Sequence, residues 1–80
     1  MKKIGKITHY YGNIGVAIVE LSAGLKVGDN IKIESGKTEF EQEVGSIQME
    51  HDQMDKAKKG DTIGIKISKK AREGSLVYKL

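Results

Sequence analysis

Seven basic side chains crowd the stretch between residues 56 and 72: Lys56, Lys58, Lys59, Lys66, Lys69, Lys70 and Arg72. Cations at that density can track a phosphate backbone, releasing counterions as they bind, so that affinity falls as salt rises. Tyr10 and Tyr11 add flat rings on which bases stack without sequence preference. The competing reading is structural: Tyr10 packs in the core, Tyr11 covers a turn, and the cations are solvated or paired with acids across neighbouring strands.

Other chemistry is thinly represented. Glu39, Glu41 and Glu43 share one strand parity, but acid–base catalysis needs carboxyl groups whose environments push them apart, and one exposed face gives all three the same surroundings. Those glutamates read instead as a solvated or lysine-paired face. The two histidines, His9 and His51, lie far apart in sequence, and Glu50-His51-Asp52 lacks the i, i+4 or paired-cysteine spacing of a metal site. There is no cysteine, hence no thiolate nucleophile, thiolate metal site or disulfide. No phosphate loop, dinucleotide fingerprint or nucleophile elbow occurs. The expectation is a chain that is not an enzyme and holds no metal or cofactor.

The elements that would position these residues are strands. Ile4 and Ile7 fall on opposite parities with Gly5 between them, which predicts a bulge. Gly12 and Asn13 are expected to turn the chain with positive φ. Val16 to Leu21 is a nearly continuous apolar run that reads as buried on both faces. Leu25 and Val27 are expected to plug one end of the core. Ile31 and Ile33 flank Lys32, and Ile63, Ile65 and Ile67 alternate with Gly64 and Lys66, as half-buried strands do. A long strand over residues 38–50 changes phase at Gly45, predicting a bend. Leu76, Tyr78 and Leu80 close the series. Six strands without a helix of useful length predict an all-β fold, a small closed six-stranded antiparallel barrel in which closure protects the edges.

Composition bounds the rest. Eighty residues make one domain, 1–80, without room for a deep catalytic cleft. Ile, Val, Leu and Phe make up 20 of them, which argues against disorder. No apolar run reaches the length of a membrane span, and the start lacks the apolar region of a signal peptide, so a cytoplasmic location away from membranes is expected. The net charge of +3 hides a division: residues 34–55 carry −6 and residues 56–80 carry +6.

Nearly the whole chain resembles, in order, the second domain of translational GTPases of the elongation factor Tu and 1-alpha type. The segments that carry the resemblance are Leu25-Lys26-Val27-Gly28-Asp29-Asn30-Ile31-Lys32-Ile33, Val44-Gly45-Ser46-Ile47-Gln48-Met49, Ala57-Lys58-Lys59-Gly60-Asp61-Thr62-Ile63-Gly64-Ile65 and Arg72-Glu73-Gly74-Ser75-Leu76-Val77. The resemblance implies a translation-factor-like barrel, free-standing and without the GTPase domain, so that no GTP is expected to be bound or hydrolysed. In those factors a Glu, an Arg and an Asn of this domain hold the aminoacylated end of tRNA; the matching positions here read Gln48, His51 and Thr62. A similar module is appended to collagenase-like peptidases.

Together these readings predict a non-catalytic module associated with RNA or the ribosome in protein biosynthesis. Its nucleic-acid-binding residues would be Lys56, Lys58, Lys59, Lys69, Lys70 and Arg72, with Gln48, His51 and Thr62. The alternative is a protein–protein adaptor that works in trans with a larger enzyme and uses the acidic strand from Glu39 to Glu43.

Overall fold

A computed structural model describes residues 2–50 and 52–80. It shows ten strands in these residues: β1 (Lys2–Tyr11), β2 (Val16–Leu21), β3 (Leu25–Lys26), β4 (Asn30–Ser35), β5 (Thr38–Glu43), β6 (Ile47–Met49), β7 (Asp52–Met54), β8 (Lys56–Ala57), β9 (Thr62–Lys66) and β10 (Leu76–Lys79). Eight form one sheet in the order β5-β4-β10-β1-β2-β9-β6-β7, and β3 pairs with β8 in a separate two-stranded ladder. Every pairing is antiparallel.

The all-β antiparallel expectation holds, but the closed six-stranded barrel is corrected. The large sheet has eight strands, and among the described residues no backbone ladder joins its two ends. It is nonetheless curled. Laid flat, β5 and β6 would stand roughly 29 Å apart, six strand spacings, yet the residues 44–46 that link them reach at most about 14 Å. The gap is bridged by a side chain. The Gln42 amide nitrogen donates to the Lys66 carbonyl at 2.8 Å, and its oxygen accepts the Ser68 N–H at 2.7 Å. One glutamine thus does for these backbone groups what a neighbouring strand would do.

The interior is built largely from β-branched residues, which suit a pleated surface. Ile4, Ile7, Ile31, Ile33, Ile47, Ile63 and Ile65 are almost wholly buried, and Phe40 is the one buried aromatic among the described residues. Ile4 and Ile7 both reach the core because the register of β1 slips between Lys3 and Gly5 against β10; a second slip, between Ile7 and His9 against β2, follows them. The bend near Gly45 lets Val44 and Ile47, on opposite parities, both point inward. Leu25 plugs the core as expected, whereas Val27 is exposed.

Three turns share one construction. In residues 26–29 and 58–61 a glycine with positive φ stands third, Gly28 at 97° and Gly60 at 93°. The Asp N–H that follows bonds the first residue's carbonyl, as in a type II turn. The Asp29 and Asp61 carboxylates accept the N–H of Lys26 and Lys58 at 3.0 and 2.9 Å. Residues 72–75 repeat the pattern with Gly74 at 88° and the Ser75 hydroxyl donating to the Arg72 carbonyl. A Cβ at Gly60 would meet no atom within 4 Å, so Gly60→Ala tests backbone strain alone. It is expected to cost about 1 kcal/mol, seen as a lowered thermal midpoint. Gly45→Ala, at a position with open space and without positive φ, is expected to leave the midpoint nearly unchanged.

Candidate functional site

The outer face of β2 departs from expectation. Ala17, Val19 and Leu21 are buried, but Val16 and Ile18 turn outward and are only half-buried. They flank a groove floored by Gly64 of β9, where a Cβ would stand 3.3 Å from Val16 Cγ1 and 3.5 Å from Ile18 Cδ1. Two adjoining cavities of about 330 and 320 Å³ share Ile14, Val16, Gln48 and Gly64 as lining. Tyr11 and Thr62 border one of them, and Ser46, Gln53 and Lys66 the other. Ile14 is 60% exposed and Tyr11 51%, an apolar strip that a single-chain surface would ordinarily cover. Tyr11 also stacks on His9, ring centroids 6.2 Å apart. Tyr10 packs against the core, as the structural reading expected.

Of the residues singled out by sequence, Gln48 and Thr62 come together at this groove. His51 lies outside the described residues. The basic residues do not converge. Lys58 and Lys59 sit in the turn held to the end of β2 by Gly60 N–H to Leu21 carbonyl and Leu21 N–H to Asp61 carbonyl, both 2.9 Å, with Lys56 just before it in β8. Lys69, Lys70 and Arg72 follow β9, in the segment held to the start of β2 by Ile67 N–H to Gly15 carbonyl at 2.9 Å. The Arg72 N–H bonds the Ser35 hydroxyl of β4. The length of β9, about 16 Å, separates the two groups.

The acidic strand is partly engaged. Lys32 pairs with Glu39 at 3.1 Å, and Lys69 shares a surface cavity with Lys32, Glu39 and Glu41. The hydrogen bond that Lys32 donates to Glu39, assisted by the charges of Glu39, Glu34 and Glu41, raises the Lys32 pKa above its usual 10.5 against a smaller opposing effect of desolvation. A raised lysine pKa gives stability that is fully present below 10.5 and is lost only as pH climbs through the higher folded value. The pair is therefore intact at neutral pH. No three His, Asp or Glu side chains among the described residues group to hold a metal.

The geometry thus defines a small antiparallel β module with an outward groove in which apolar side chains are edged by Ser46, Gln48, Glu50, Gln53, Thr62 and Lys66. No family model matches. Over 98% of its length the chain is 41% identical to an uncharacterized protease of Methanocaldococcus jannaschii, and it spans 19% of that relative. Two solved structures share the fold, both the C-terminal domain of a U32-type peptidase from Geobacillus thermoleovorans. One superposes with a TM-score of 0.92 at 18% identity, covering 99% of this chain and 92% of that one. Its selenomethionine variant gives 0.94 at 18%, covering 99% and 100%.

These likenesses overturn the elongation-factor identification, and the translation-factor function, RNA binding and protein-biosynthesis role drawn from it fall as well. The physical reason lies in which residues carried the resemblance. Gly28-Asp29, Gly60-Asp61 and Gly74-Ser75 are turn-building residues. They specify how strands are joined and carry no information about a ligand.

Proposed function

We propose that the chain is a non-catalytic interaction module that works with a larger, peptidase-type enzyme. The observation that supports this is the 41% identity along 98% of the chain to a segment making up 19% of a protease. A segment matched over its whole length to a small part of an enzyme is suited to serve that enzyme as an accessory unit. The contact face in this reading is the apolar groove, since Tyr11, Ile14, Val16 and Ile18 gain most from being covered. The acidic strand offers less, because Glu39 already has Lys32 as a partner.

The test is capture by the immobilised chain from a lysate of its own cells, with retained proteins identified by mass spectrometry. A peptidase-type protein is expected to be retained, and Ile14→Asp is expected to lower its recovery about tenfold by placing a charge in a desolvated contact. Glu41→Lys with Glu43→Lys is expected to leave recovery unchanged. Absence of any peptidase-type protein, or equal recovery by the Ile14→Asp variant, overturns the reading.

A further inference from the structure

Four lysines from four different strands meet around one cavity at the end of the molecule where β1 begins. Lys26 and Lys56 are direct cross-strand partners in the β3–β8 ladder. Lys2 and Lys79 are direct partners between β1 and β10. All four line a cavity of about 390 Å³ together with Ile4, Ala23, Leu25 and Ala57. Like charges placed directly opposite repel one another, so each pairing opposes the fold that contains it.

The cavity holds one acid, Asp29, and that carboxylate is committed. It is nearly buried, pairs with Lys79 at 3.3 Å and accepts the Lys26 N–H at 3.0 Å. Among the described residues no carboxylate lies within ion-pair distance of Lys2, Lys26 or Lys56. Three ammonium groups therefore face one concavity without a counter-charge, above a floor that is apolar.

We infer that this cavity binds an acidic polypeptide segment, its carboxylates meeting Lys2, Lys26 and Lys56 while an adjacent aliphatic side chain rests on the half-buried Ala23 and Ala57. The apolar floor and the absence of an aromatic ring from the lining favour this ligand over a nucleic acid, whose bases stack on aromatic rings. The cavity shares no lining residue with the apolar groove, and the inference does not depend on the peptidase reading.

The test is fluorescence anisotropy with a labelled short peptide alternating Glu and Leu, at about 50 and about 200 mM salt. Binding at the lower salt is expected, weakened about tenfold or more by Lys26→Glu with Lys56→Glu. The same charge change at Lys58→Glu with Lys59→Glu is expected to alter affinity less than about twofold, which separates a local site from net charge. The single variant Lys26→Glu converts a repelling cross-strand pair into an attracting one, so its thermal midpoint should rise while peptide affinity falls. Ile14→Asp should leave peptide binding intact whatever becomes of the peptidase contact. The inference is overturned by absence of binding at low salt, by equal losses in the two double variants, or by tighter binding of single-stranded RNA than of the peptide.

Discussion

Ile65→Ala is expected to remove about 2–5 kcal/mol of stability, the range for truncating a buried Ile in a core that cannot collapse around the gap. Ile65 is 1% exposed and stands in β9 opposite Ala17 of β2 on one side and Ile47 of β6 on the other. Ala17 is too small to fill the space by rotating, and Ile47 is held by its own ladder. A domain of this size has a total stability of about 4–12 kcal/mol, so the one substitution takes a large share of it. Urea denaturation checks this: the midpoint should fall sharply with the slope unchanged, since the surface exposed on unfolding is nearly the same. A loss below about 1 kcal/mol would mean that β9 repacks freely, contrary to its paired position on both sides.

The parts of the fold legible in the sequence are those with a period or a turn residue. Alternation at Ile31 and Ile33, and from Ile63 to Ile67, marks β4 and β9. The parity conflict between Ile4 and Ile7 marks the slipped register of β1. Gly-Asp pairs mark two of the tight turns. What was hidden had no such signal. The two-residue strands β3 and β8 are too short to show a period, and all three residues of β7 are exposed, so apolar alternation is absent there. The turn that creates β7 places Glu50 at a φ of 51°, where a glycine or asparagine would have announced it. Likewise the positive φ beyond β1 falls on Gly15 and not on Gly12 or Asn13.

The surfaces were harder to read than the strands, for a reason that is also physical. An apolar run such as Val16 to Leu21 looks the same whether its second face meets a core or opens to solvent. Only the curl of the sheet shows that Val16 and Ile18 line a groove. The lysine cavity is more hidden still. Lys2, Lys26, Lys56 and Lys79 are spread along the whole chain and become neighbours solely through strand pairing. The dense basic stretch from Lys56 to Arg72 is plain in the sequence because its members are close along the chain. Yet β9 holds its two halves apart, so proximity along the chain and proximity in space part company here.

Gly5→Ala is the second large effect, and its cause differs from that of the turn glycines. Gly5 does not adopt a positive φ, so its torsions would accept an alanine. The obstacle is space: an added Cβ would stand 2.7 Å from Val19 Cγ1 and 3.0 Å from the Glu20 carbonyl. Neither neighbour yields readily. Val19 is fully buried and stiff about its first torsion, and Glu20 O belongs to the backbone of a strand paired on both sides. Relief requires β1 and β2 to separate where β1 already slips its register, at an expected cost of about 1–3 kcal/mol. Thermal unfolding should show a fall of several degrees, roughly 4–8 °C for each kcal/mol in a domain of this size. The cause can be isolated by pairing the change with Val19→Ala, which removes the nearer obstructing atom. If crowding is responsible, the double variant should lose less than the sum of the two single losses, because the cavity left by Val19 takes up the new methyl group. Strictly additive losses would show that the glycine is required for another reason, and the close approach of β1 to β2 would not be what fixes it there.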